Sequence, residues 1–309
     1  LSDLFVQPDV ANSSCTASAT LNGKTNQADT ARLEVFDKVG NRVAESLLKI
    51  DPNTTVGQSI GVKAAIRDAK LWSPDSPTLY TAKLNLLRGD QVLDTLESRF
   101  GMRQFTIDGP HILLNGKRLM LRGYGDDHIY PEQMGMPSDK QLHRAQLKLI
   151  KSYGFNHVRH HSSMLPPEYY DACDELGIIT TAEFPIAYEN FLPGGPEWKR
   201  HVPKGTDPRP AFETYERQWS AAIRRHRNHP SILCWVMGNE LYDGVPERKQ
   251  FAQIASQLDP KRLFVDSDGV ILRNGVARKG DRDTLGLYFA QFDVFHGSIE
   301  RPAKFVIPQ

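Results

Sequence analysis

Asn239 and Glu240 put an amide beside a carboxyl group, directly after Gly238 and an unbroken apolar run from Ile232 to Met237. A carboxyl group can give and take a proton, and a neighbouring amide can donate to a hydroxyl. Polar groups of the same kind recur behind other short apolar runs: Asp126-Asp127-His128, Arg159-His160-His161, Glu183, Asp266-Ser267-Asp268 and His296. Hydroxyl-binding groups ringed around one strong acid suit a sugar. Cleaving a glycosidic bond takes two carboxyl groups flanking it. One of them must be protonated near neutral pH, which burial and a neighbouring carboxylate can achieve. Glu240 is the candidate for that acid, and Asn239 is placed to donate to the hydroxyl beside the scissile bond. A plainer reading of the same residues has Glu240 capping the next helix and Asn239 making an ordinary turn.

The elements around these residues separate the two readings. Ile232 to Met237 lacks alternation, as a strand buried on both faces does, and Gly238 lets the chain leave it. Upstream, Arg118 to Tyr124 reads as a first strand. Asp139 to Tyr153 reads as a helix with Leu142, Ala145, Leu149, Ile150 and Tyr153 on one face, Ser138 able to cap it and Gly154 ending it. Phe155 to Arg159 is a second strand, Pro167 to Leu176 a helix followed by Gly177, and Ile178 to Ala182 a third strand ending at Glu183. The Pro/Gly-rich stretch Pro193 to Pro210 reads as a long functional loop. Phe212, Tyr215, Trp219, Ala222 and Ile223 make a helix face before the fourth strand. Pro246 to Leu258 is the next helix, Leu263 to Asp266 a fifth strand, Phe292 to Phe295 a sixth and Phe305 to Ile307 the start of a seventh. Alternating strands and helices predict a parallel architecture, and strands running in one direction favour a truncated (β/α)8 TIM barrel over residues 107–309, cut in or near strand seven. In such a barrel the catalytic face is the C-terminal ends of the strands, where the polar groups fall.

Residues 1–106 follow a different period. Ile60, Val62, Ala64 and Ile66 alternate with smaller or polar residues, as do Tyr80, Ala82, Leu84 and Leu86, so each strand buries one face. Lys38-Val39-Gly40-Asn41 and Arg88-Gly89-Asp90-Gln91 read as hairpin loops. Roughly seven such strands in about 100 residues predict an immunoglobulin-like β-sandwich, without a disulfide across it. Leu71 to Tyr80 carries a Trp and a Tyr around two prolines and reads as an aromatic plug at one end of the sandwich, with a sugar-stacking Trp72 as the alternative.

Composition narrows the partners. The chain has 309 residues, 39% of them hydrophobic and 24% charged, with a net charge of +1, which argues for neither nucleic acid nor a membrane surface. No apolar run reaches the roughly 18 residues of a transmembrane helix, and no signal peptide is visible. Cys15, Cys173 and Cys234 are odd in number and widely spaced, and the latter two lie in apolar patterns that read as core. The compartment stays undetermined. Both ends of the chain look cut, as in a fragment of a longer protein.

The residues from Asp126 to His161, the stretch Arg227-Asn228-His229-Pro230-Ser231-Ile232 and the run Trp235 to Glu240 resemble glycoside hydrolase family 2, which includes β-galactosidases, β-glucuronidases and β-mannosidases. The turn from Trp72 to Tyr80 and Phe100-Gly101-Met102-Arg103 resemble the end of that family's immunoglobulin-like domain. Asn115-Gly116-Lys117 and Arg122-Gly123 resemble the start of its barrel. The resemblance covers essentially the whole chain. It implies a retaining mechanism with Glu240 as acid/base and Asn239 beside it, Arg159 positioning the nucleophile, and Glu183 as the acid at the end of strand three. Asp127, His128, His160, His161 and His296 join them as substrate-binding candidates.

Two departures leave the sugar open. The family's Ser-His-Tyr-Pro run after the arginine is His160-His161-Ser162-Ser163-Met164 here, and its Asn-x-His-Glu is Gly125-Asp126-Asp127-His128. The family's nucleophile is a glutamate at the end of strand seven, expected beyond Gln309, and the family's N-terminal sugar-binding jelly roll has no counterpart among these stretches. No cofactor is required, although some members bind Na⁺ or Mg²⁺. A homo-oligomer is compatible with the full-length protein.

Two other readings compete with the glycosidase. His160-His161 and His226-x-x-His229 invite a metal, but adjacent strand residues face opposite sides and His229-Pro230 sits at a helix end, so no metal site is expected. The other is a non-catalytic carbohydrate-binding barrel, which an acidic residue after strand seven would exclude.

Overall fold

The computed structural model describes residues 1–23, 28–108, 111–130, 135–187, 192–241 and 248–265. These fall into two compact units. One comprises Leu1–Gln104 with the short segments Asp174–Gly177 and Arg224–Pro230, and the other comprises the remaining residues from Phe105 onward.

The first unit is the sandwich that the alternation predicts. Strands β1 (Ser2–Asp9), β2 (Ser14–Thr20) and β5 (Ser59–Ala65) form one sheet. Strands β4 (Arg42–Lys49), β3 (Thr30–Phe36), β6 (Tyr80–Arg88) and β7 (Gln91–Phe100) form the other. The period-two pattern is visible in β5, whose residues alternate exposed and buried along its length. Val6, Ala17 and Val62 from one sheet share a core with Leu33, Val35 and Leu84 from the other. Trp72 is fully buried and its indole N–H donates to the Asp174 carbonyl at 3.0 Å, so it plugs the unit and offers no ring face to a sugar. The Arg227–Pro230 stretch is bound into the same unit. The Arg227 guanidinium reaches Asp3 Oδ1 at 2.6 Å, the Val6 amide donates to Asn228 Oδ1 at 2.9 Å, and His229 Nδ1 lies 2.6 Å from Asp174 Oδ2. These residues hold β1, and His229 is occupied by a carboxylate partner.

The second unit opens with a small antiparallel sheet, β8 (Phe105–Asp108), β9 (His111–Leu114) and β10 (Lys117–Arg118). A parallel sheet follows in sequential order: β11 (Gly123–Asp126), β12 (His157–His160), β13 (Ile179–Glu183), β14 (Ile232–Val236) and β15 (Leu263–Val265). Helices α1 (Lys140–Ser152), α2 (Pro167–Leu176), α4 (Arg209–His226) and α5 (Arg248–Leu258) connect the strands, and a one-turn α3 (Pro196–His201) lies within the Pro/Gly-rich stretch. This is a partial TIM barrel. All three cysteines are buried thiols outside any disulfide, and β12, β13 and β14 are buried at every position, as the unalternating runs require. Among the described residues no helix is long and apolar enough to cross a membrane.

Three local expectations need correction. The first barrel strand is Gly123–Asp126 rather than Arg118 to Tyr124, because Lys117–Arg118 pairs back onto β9 as a hairpin. Helix α1 is capped by Asp139, whose carboxylate accepts from Gln141 and Leu142, and not by Ser138. It buries His143 and Leu147, leaving Leu149 58% and Tyr153 75% exposed. The buried stripe therefore runs through a histidine, which an apolar period passes over. The sixth and seventh strands, Asp266-Ser267-Asp268 and His296 lie outside the described residues.

Candidate active site

Side-chain direction on β12 decides which groups enter the site. His157 and Arg159 share one face, and Val158 and His160 the other. The Arg159 guanidinium donates through Nε and Nη2 to Glu183 Oε2 at 3.2 and 3.0 Å, and through Nη2 to Asn239 Oδ1 at 2.7 Å. The Ser162 amide donates to Glu183 Oε1 at 2.8 Å. Glu183 is fully buried, so one carboxylate is satisfied on both oxygens by a cation and a backbone N–H. Arginine can only donate, so the Asn239 carbonyl must face it. Asn239 Nδ2 is then turned away, buried and without a partner among the described residues.

Glu240 follows in the left-handed region, at φ 50°. A non-glycine residue there stores on the order of 1–3 kcal/mol, and such strain gathers at functional sites. The turn is clamped. The Asn239 amide donates to the Ile186 carbonyl at 2.8 Å, and a Cβ on Gly238 would stand 2.5 Å from that same oxygen. Glycine at 238 is thus a matter of close approach between the chains leaving β13 and β14. Gly238→Ala is expected to destabilise the barrel unit by about 1–3 kcal/mol through overpacking. Urea unfolding checks this; a midpoint equal to wild type would show that the clamp is slack.

Residues 105–285 match the profile of the glycosyl hydrolases family 2 TIM barrel domain, and residues 1–103 match a second glycosyl hydrolases family 2 profile. The chain belongs to glycosyl hydrolase family 2. A protein of Formosa agariphila provisionally named a β-glucuronidase is 31% identical over 261 residues, 80% of this chain and 29% of that protein. A β-galactosidase of Photobacterium profundum is 24% identical over 277 residues, 85% of this chain and 25% of that protein. A solved glycosyl hydrolase family 2 member from Bacteroides cellulosilyticus superposes with a TM-score of 0.71 at 21% identity, covering 87% of this chain and 35% of that one. This family 2 chain therefore spans less than a third of the length of these two named relatives.

The candidates singled out in the sequence part company in the structure. Arg159, Glu183 and Asn239 are joined by hydrogen bonds, with Glu240 next in the chain. His160 is not with them. It is fully buried on the opposite face of β12, its Nδ1 lies 2.6 Å from His128 Nε2, and its ring stands edge-on to Tyr169 and Tyr170 of α2. Neither His160 nor His128 can touch a sugar there, because strand alternation turns His160 into the helix layer and His128 follows it. Asp127 and His161 form a separate, solvent-accessible pair at 3.3 Å.

One contributor to the site was missed. In the sequence Ser162 reads only as part of the stretch that departs from the family, and it acts through its backbone N–H from a left-handed φ of 49°, which residue type does not announce.

Burial keeps several imidazoles neutral. His157 is pushed down to about 3 by burial and then by the Arg159 charge, and His226 to about 3 by burial, His229 and Arg225. His160 lies well below the ordinary range for burial first and neighbouring His128 second. An unfolded histidine binds its proton below about pH 6.5 while these folded ones do not. Stability is therefore full above about 6.5 and is lost as pH falls toward 3, by up to about 1.4 kcal/mol per pH unit for each such group. Urea midpoints at pH 7.5 and 5 should fall accordingly, and His157→Phe should flatten the dependence by one proton. An unchanged slope in that variant would mean that His157 is not the group responsible.

Proposed function

We propose that this chain supplies the acid/base half of a retaining β-glycosidase acting on β-galactoside-type, β-glucuronide or related β-glycosides. The observation that carries the reading is the polarity of Asn239. Arg159, itself fixed by Glu183, holds the amide oxygen, so that Nδ2 is the group left to donate, immediately before the strained Glu240. A buried donor without a partner is costly, and a sugar hydroxyl oxygen beside the scissile bond would satisfy it. The names of the relatives fit this substrate class.

In this reading protonated Glu240 gives its proton to the glycosidic oxygen as the bond from C1 breaks, while a second carboxylate attacks C1 from the other face. Glu240, now a carboxylate, takes a proton from water as that water attacks C1 and frees the second carboxylate. The nucleophile is not among the described residues, and we place it on a later barrel strand. Glu183 acts at a distance, as the counter-ion that orients Arg159 and Asn239. The chemistry uses carboxyl groups alone and calls for no cofactor.

The test is an assay of the whole protein on a panel of aryl β-glycosides beside its Glu240→Gln variant. Release of one sugar, lost in the variant, supports the reading and names the sugar. Sugar binding that Glu240→Gln leaves unchanged, with no hydrolysis of any glycoside, would leave a non-catalytic carbohydrate-binding barrel.

A further inference from the structure

His128 and His160 meet in the layer between the parallel sheet and helices α1 and α2, outside the hydrogen-bonded group described above. Their facing nitrogens are 2.6 Å apart and both side chains are buried. Only one proton fits between two nitrogens at that distance, so one ring donates and the other accepts. The contact joins the end of β12 to the turn after β11. Asp126 is fixed to β12, its carbonyl accepting from the His161 amide at 3.1 Å, so the restraint is needed at His128, which sits at a left-handed φ of 52° with its amide donating to Asp126 Oδ1 at 2.8 Å. The turn carries Asp127, whose carboxylate faces the His161 ring.

We infer that the His128–His160 contact is an acid-released latch, which holds Asp127 and His128, just past the end of β11, against β12 at neutral pH and lets them go on acidification.

The surroundings say how protons enter. From the turn itself, Asp126 Oδ2 stands 3.7 Å from His128 Nδ1 and favours a proton there, with Asp127 adding to it. From α1, His143 opposes it. From β12, His157 and Arg159 oppose charge on His160. From α2, Tyr169 and Tyr170 present ring edges and carry no charge. A first added proton goes to an outer nitrogen and leaves the contact intact. A second leaves two N–H groups facing each other at 2.6 Å, and the contact cannot survive. Burial postpones both steps to below the ordinary imidazole range. The balance is thus a two-state element biased by pH.

The experiment is hydrogen exchange of the 309-residue chain from pH 7.5 down to the pH at which both imidazoles have taken up protons, corrected for the intrinsic rate, with histidine nitrogen resonances followed in parallel to mark that point. Residues 127–130 should lose about tenfold or more of their protection as His128 and His160 take up protons, while β11, residues 123–126, and β14, residues 232–236, keep theirs. His160→Gln retains a donor and an acceptor at every pH and should hold the segment closed throughout. His160→Phe retains the ring without either and should leave it open at pH 7.5. Protection of 127–130 that stays constant while both imidazoles titrate would overturn the latch. So would loosening of β14 in step with it, which would mean that the whole unit unfolds. The wild-type measurement decides even if a variant fails to fold.

Discussion

Glu240→Gln in the whole protein should slow hydrolysis of an alkyl β-glycoside by about 10²–10⁴-fold, the span of general acid–base catalysis. The loss has a signature that unfolding would not copy. A leaving group such as dinitrophenolate departs without protonation, so the first step should be nearly spared on that substrate. The second step still lacks its base, and the glycosyl-enzyme should accumulate as a burst. Azide needs no base to attack C1, so it should restore turnover and yield the β-glycosyl azide. In the proposed mechanism Glu240 carries this weight because the turn after β14 puts it next to a buried amide whose only unsatisfied atom among the described residues is a donor. Equal losses on both leaving groups, with no azide product, would remove Glu240 from the proton's path.

Glu183→Ala should cost the barrel unit about 3–5 kcal/mol, the usual penalty for breaking a buried ion pair from one side. Glu183 has no exposed surface and engages Arg159 from two nitrogens and Ser162 from the backbone. Its removal strands a guanidinium charge among buried residues and leaves the Ser162 amide unmet. Glu183→Gln keeps the shape and one acceptor oxygen and should cost less than the alanine. It should still weaken the hold on Asn239, because Arg159 Nη2 bridges the two side chains. Urea denaturation of the three proteins gives the order directly. An alanine variant within 1 kcal/mol of wild type, by the same benchmark, would show that water reaches and solvates Arg159.

Much of this was legible in order along the chain. Periodicity is a local property, so the switch from alternating runs before residue 106 to unbroken apolar runs after it announces a sandwich and then a parallel barrel. The pattern from Ile232 to Glu240 carries its own context, since a strand buried on both faces followed by Gly-Asn-Glu can only deliver its polar groups at one end. The family followed from the same residues, since they sit in stretches that resemble it. The local readings failed where a polar residue does apolar work. His143 and His128 are buried, and a pattern built on hydrophobic residues sent α1 the wrong way round.

By itself the sequence determined the architecture, the lineage and the identity of the candidate acid, because each depends on residue type and spacing along the chain. Only the tertiary structure decided which neighbours share a site. His160 was grouped with Arg159 from adjacency, and strand alternation puts them on opposite faces of β12. Glu183 read as a group for the substrate, and burial with Arg159 and Ser162 makes it a counter-ion instead. The direction of the Asn239 amide is a fact about two atoms 2.7 Å apart whose residues lie 80 positions apart, and no local pattern holds it.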